Sequence, residues 1–295
     1  MKLQGVFVAI TTPFTRKGIV DEPALKKHLE WLAAAGVHGF VPAGTTGEGS
    51  VLSREERKIV IQAALSVARA KGLKVIAGCG GNHTEKVLEL LVEAKSLGCD
   101  AALVVTPYYN KPTPRGLLAH YEHLATHVDI PIILYNVPSR TGVSLSVETT
   151  LKLFESPTII GIKEASGQYG TWLQLSNEMN LMEKSLLAGD DDAFAVILAL
   201  GGSGIISASA NIAPHQFVQI YDFAKNGQWT EAFDLQKRLL PLVRSLFLET
   251  SPSPTKWALN KMGFAETCVR LPLVEITEAT AGSVTKALKN LEILS

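Results

Sequence analysis

The chain has 295 residues, of which 46% are apolar and 19% charged, a balance that builds a large core and excludes disorder as the main state. Its 28 Lys and Arg cancel 28 Asp and Glu, with no basic block to hold a phosphate backbone, so a nucleic-acid partner is not expected. Cys79, Cys99 and Cys268 form neither a disulfide framework nor a CxxC metal motif, and the apolar run in MKLQGVFVAITTPF is too short for a signal peptide or a membrane span. The expected compartment is the cytoplasm, away from membranes.

Taken in chain order, short β-branched apolar runs fall at 5–10, 38–42, 73–77, 101–105, 130–135, 158–163, 185–188 and 204–207. A segment of helical spacing follows each. Leu25, Leu29, Leu32 and Ala33 form the first apolar stripe, with Gly36 placed as its C′ residue. Ser53 and Glu56 have the spacing of a capping box ahead of Ile59, Ala63 and Val67, and Val87, Leu91 and Ala94 continue the pattern after the third run. Eight repeats of strand then helix favour a closed (β/α)8 TIM barrel over an open doubly wound sheet, whose dinucleotide fingerprint is missing from the first turn, Thr11-Thr12-Pro13-Phe14-Thr15. Helical stripes at 230–248 and 275–291 lie beyond the eighth run, so the reading is a catalytic barrel over 1–225 and a C-terminal helical extension over 226–295.

In such a barrel the C-terminal strand ends meet at one mouth, and the residues there are the candidates for chemistry. Lys163 closes the sixth run; among apolar strand ends and tyrosines, desolvation disfavours its charged form, and a neutral amine condenses with a carbonyl to give a Schiff base. The alternative is a snorkelling or salt-bridged lysine paired with Glu164. Tyr135 ends the fifth run, where it either carries a proton, oriented by Thr45, or serves as a core aromatic with a bonded tip. Gly44 and Gly47 around Thr45-Thr46 suit a small α-keto acid carboxylate or, equally, a plain turn. Arg140, in the loop after Tyr135, has the planar fork for a second carboxylate, or is a surface arginine.

Three other features are assigned to structure. Asp190-Asp191-Asp192 is read as an N-cap with acids in the first turn of a helix. His120, His123 and His127 share a helical face but lack an HExxH pattern and lie on an outer helix, so no metal is expected. Gly201-Gly202-Ser203-Gly204 precedes the eighth strand, on the stability face, and is read as close packing.

Five motifs in order, GTTGE at 44–48, TPYYNKP at 106–112, YNVPSRTG at 135–142, GIKEASG at 161–167 and GDD at 189–191, resemble the dihydrodipicolinate synthase family of the pyruvate-dependent N-acetylneuraminate lyase superfamily. The resemblance runs from about residue 3 to about residue 290. It implies a cofactor-free class I lyase, a homotetrameric dimer of dimers. Pyruvate and L-aspartate 4-semialdehyde are condensed through a lysine Schiff base at the start of lysine and diaminopimelate biosynthesis. By that likeness Lys163 carries the Schiff base, and Thr45, Tyr135 and Tyr109 relay protons, with Tyr109 supplied by a neighbouring subunit. Thr46 binds the pyruvate carboxylate, Arg140 the semialdehyde carboxylate, and Gly189 and Ile206 line the pyruvate pocket. Sialate and 2-keto-3-deoxy sugar acid lyases are the runner-up, and the uncharged sugar tail of the sialate lyases leaves no task for Arg140. Lysine-inhibited members carry a glutamate four residues after the asparagine matching Asn82; here that position is Lys86, with Arg54 and Arg57 at two histidine-type contacts and Tyr108 retained. Cations in place of an acid predict weak or absent inhibition by lysine.

Overall fold

The near-continuous apolar runs, buried on both faces, form eight parallel strands: β1 (Gly5–Val8), β2 (Gly39–Phe40), β3 (Lys74–Gly78), β4 (Ala101–Val105), β5 (Ile132–Asn136), β6 (Ile159–Glu164), β7 (Ser185–Ala188) and β8 (Gly204–Ser207). They pair in chain order as a closed barrel, the expected architecture. The computed structural model describes residues 1–294. Both strands nearest the N-terminus are shorter than the apolar runs suggested. Pro42 lacks an N–H for the ladder and Ala43 sits at φ +55°, so β2 stops at Phe40, while Val41 N still donates to Val8 O at 2.7 Å.

The chain forms two compact units, one of Met1–Gly5 with Val75–Ile206 and the other of Val6–Lys74 with the chain from Ser207 onward. In the first, β3 to β7 are in register without interruption apart from an irregularity at Ile132/Ile133. Gly161 is required there because a Cβ would run into the Ser185 carbonyl. Close packing also explains the glycine cluster before β8: a Cβ on Gly202 would stand 2.6 Å from Ile197 O, and one on Gly204 would strike the backbone of Gly5.

In the second unit, Phe7 pairs with Gly39 and Val8 with Phe40. Helix Glu22–Ala34 ends as its sequence predicts, with Gly36 at φ +85°, and helix Arg54–Lys71 opens on a complete Ser53/Glu56 capping box. The C-terminal stripes become helices Trp229–Ser245 and Glu278–Asn290. Between them lies helix Ser253–Lys261, whose Pro252 and Pro254 obscured its short pattern.

Candidate active site

Parallel pairing of β5 and β6 sets Tyr135 opposite Lys163 and Asn136 opposite Glu164. Because side chains alternate along a strand, this register places Tyr135 with Lys163 on one face and Asn136 with Glu164 on the other. Lys163 is 7% exposed, and its Nζ lies 4.3 Å from the centroid of the Tyr135 ring. Glu164, the acid that a structural lysine would pair with, bonds elsewhere: Oε2 accepts from Asn136 Nδ2 at 2.9 Å and Oε1 from Ser166 N at 2.7 Å. The Lys163 side chain is therefore buried against a phenol ring while the neighbouring acid is bonded elsewhere. Burial pushes the Glu164 carboxyl above the usual carboxylate range, while its hydrogen bonds to Ser166 and Asn136 pull the other way.

At the end of β7, Gly189 N donates to Glu164 O at 2.8 Å, and a Cβ on Gly189 would come within 2.6 Å of the Ala165 Cβ. Only glycine lets the two strand ends approach so closely. Asp190 follows. The N-cap reading of the three aspartates holds for position and not for bonding: Asp190 is the N-cap residue of the turn Asp191–Ala193 with Asp191 and Asp192 in its first turn, but neither that turn nor helix Phe194–Ala199 has a side-chain cap bond. A cap needs its carboxylate folded back onto the N2 or N3 amide, and here the helix starts through a 3-10 turn instead. Burial, reinforced by Asp192 and opposed by Lys163, raises the Asp190 carboxyl to about 6. It therefore stands within electrostatic reach of the lysine, a relation that sequence reasoning missed. Ile206, in β8, is fully buried in the same unit.

Two loops complete this unit's candidates. Tyr109 is 89% exposed at φ +73°, a left-handed conformation uncommon for a bulky residue, in a loop anchored by Asn110 Nδ2 donating to Asn82 O at 2.9 Å. Arg140 is exposed on the single helical turn Pro138–Thr141 directly after β5.

Thr45 and Thr46 belong to the second unit, in a turn closed by Glu48 N to Thr45 O and Gly49 N to Gly44 O, each 3.0 Å. Thr12 Oγ1 donates to Gly47 O at 2.7 Å, and Ala43 and Glu48 are both left-handed. Thr46 is buried and Thr45 exposed. Glu48 ends the motif in a buried ion pair with Lys256, and its Oε2 accepts from Arg270 N at 2.9 Å. Nothing in the local spacing of GTTGE points to a partner 208 positions away.

The three histidines have other partners. His120 Nδ1 lies 2.9 Å from Thr84 Oγ1 and is pushed down to about 4 by burial and then by His123; His123 Nε2 is 3.1 Å from Glu85 Oε1 and stacks on His127.

Residues 2–291 match the model of the dihydrodipicolinate synthetase family. The chain is 45% identical over 296 aligned residues to a 4-hydroxy-tetrahydrodipicolinate synthase of Methanopyrus kandleri, covering 99% of this chain and 98% of that one. Its fold is similar to a dihydrodipicolinate synthase of Acinetobacter baumannii solved with pyruvate (TM-score 0.96, 43% identity, 99% of each chain). A Thermotoga maritima dihydrodipicolinate synthase is equally well covered, at TM-score 0.97 and 36% identity.

Proposed function

The chain belongs to the dihydrodipicolinate synthetase family, and on that premise we propose that Lys163 forms a Schiff base with pyruvate and adds it to L-aspartate 4-semialdehyde. The activity is that of a 4-hydroxy-tetrahydrodipicolinate synthase, a lyase of lysine and diaminopimelate biosynthesis. The observation that carries the lysine's role is its burial against Tyr135 while the neighbouring Glu164 is bonded to Asn136 and Ser166.

Nζ attacks C2 of pyruvate, water leaves, and the protonated imine withdraws electrons so that C3 loses a proton and becomes an enamine. That carbon attacks the aldehyde carbon, whose oxygen takes up a proton. The substrate's own amino group then attacks the imine carbon, releases Lys163 and closes the ring. Tyr135 moves the protons for imine formation, with Thr45 and the Tyr109 of a neighbouring subunit completing the relay. The 89% exposure and left-handed backbone of Tyr109 support an arrangement in which it serves a site outside its own chain. Thr46 binds the pyruvate carboxylate, Gly189 and Ile206 line the pyruvate pocket, and Arg140 takes the semialdehyde carboxylate in bidentate fashion. The working assembly is a cytoplasmic homotetramer built as a dimer of dimers, each chain a catalytic barrel over 1–225 with a helical extension over 226–295.

Borohydride reduction in the presence of pyruvate, followed by peptide mass spectrometry, tests the reading. An adduct on the Lys163 peptide is expected; an adduct on no lysine, or on another, overturns it. Aspartate semialdehyde, N-acetylmannosamine and small sugar aldehydes offered in parallel separate the synthase from the sugar-acid lyases.

A further inference from the structure

Behind Lys163 and Tyr135, on the opposite face of the same two strands, lies a buried polar chain that the reaction itself does not use. Asn136 and Glu164 are both fully buried. Asn136 Nδ2 donates to Glu164 Oε2, and its Oδ1 accepts from Leu145 N at 2.9 Å. Glu164 thereby decides which way the amide points: with the nitrogen committed to the carboxylate, the oxygen must face the Leu145 N–H. The backbone of Asn136 is fixed as well, its carbonyl accepting from Ala165 N at 2.9 Å.

Residue 136 thus holds both ends of the segment 137–145, its start through the backbone and its end through the side chain. Within it Thr141 Oγ1 donates to Val143 O at 2.8 Å, and Arg140 stands exposed on the turn. We propose that Asn136 and Glu164 are positioning residues that lock this nine-residue loop and so aim Arg140 at the carboxylate of the incoming aldehyde. The inference rests on the reading of Arg140 given above. It links the strand that carries the Schiff base to the loop that selects the second substrate, and assigns to Glu164 a task distinct from pairing with Lys163.

The chemistry of the pair supplies its own test, because two substitutions that each break it restore it together. Glu164→Gln places an amide nitrogen against either Asn136 Nδ2 or Ser166 N; Asn136→Asp places two carboxylates face to face. Combined, the glutamine donates to the aspartate, whose second oxygen accepts from Leu145 N, and the glutamine oxygen accepts from Ser166 N. Leaving a buried donor without its acceptor costs enough to loosen the end of the loop that the Leu145 N–H bond to Asn136 holds. Each single variant is expected to raise KM for aspartate semialdehyde roughly tenfold, with KM for pyruvate and the borohydride adduct on Lys163 changed less than about twofold; the double swap returns the aldehyde KM to near wild type. In an Arg140→Ala background Glu164→Gln should add almost nothing, since its effect passes through the guanidinium.

Hydrogen exchange of the 137–145 peptide separates the proposal from the reading on which it rests. Faster exchange in both single variants, reversed in the swap, establishes the lock. If that pattern holds while Arg140→Ala leaves the aldehyde KM unchanged, the lock stands and the substrate role of Arg140 falls. Unchanged exchange, a single variant that loses the pyruvate adduct, or full additivity with Arg140→Ala overturns the proposal.

Discussion

Lys256 and Glu48 form an ion pair whose side chains are each 1% exposed, and replacing the lysine alone tests what holds the GTTGE turn in place. The ammonium also donates to Cys268 O at 2.8 Å and sits 4.1 Å from the centroid of the Phe14 ring. Burial pulls Lys256 down to about 8 against the attraction of Glu48, so desolvation is the larger effect and the pair adds little net stability over an apolar substitute. Removing one partner is a different perturbation. Lys256→Met matches the stem in volume but leaves the Glu48 carboxylate buried with the Arg270 N–H as its remaining bond, a loss of about 3–5 kcal/mol. For a chain of this size each kcal/mol moves Tm by roughly 1.5–2 °C, so the midpoint should drop by about 5–10 °C. Adding Glu48→Gln removes the stranded charge, and the double variant should recover at least about 2 kcal/mol relative to Lys256→Met. Chemical denaturation and thermal scanning of wild type, both singles and the double measure the cycle. A loss below about 1 kcal/mol in Lys256→Met, or a second substitution that destabilises further, would refute this account of the turn.

Acid should destabilise the fold through His28, which burial holds at about 4 while its ring contacts Asn211 O, Trp31 and Phe264. Its folded value lies below the unfolded 6.5, so its contribution is complete above pH 6.5 and is lost as pH falls toward 4, about 3 kcal/mol in all; His28→Gln should flatten the stability profile across that window, and an unchanged slope would contradict the assignment. Mixing the inactive variants Lys163→Ala and Tyr109→Phe under subunit exchange should restore activity, up to about a quarter of wild type if Tyr109 acts across a dimer interface, because one site in each mixed pair is then intact. Activity no higher than either parent would exclude that role. Added lysine should leave turnover nearly unchanged because Lys86 repels its ammonium, and half-inhibition below millimolar lysine would show that reasoning to be wrong. Turnover should likewise survive EDTA, whereas loss reversed by zinc would favour a metal-assisted aldolase.

Much of this molecule is written in short-range pattern. The eight apolar runs, the Ser53/Glu56 box and the Gly36 terminus were legible because strand alternation, capping and left-handed backbone each depend on residues within a few positions of one another. The same alternation already separates Lys163 from Glu164, since neighbours on a strand face opposite ways. Tertiary structure alone decided which partners those faces meet. Register between β5 and β6 brings Tyr135 to Lys163 and Asn136 to Glu164, and register follows from how whole strands pack, not from either strand's composition. Chain closure over 208 positions joins Glu48 to Lys256, and the strand ends draw Asp190, at the N-cap position its sequence predicts, into the field of Lys163. Local preferences therefore name the elements and the candidate side chains, while the partners and aim of those side chains come from contacts that exist only after the barrel has closed.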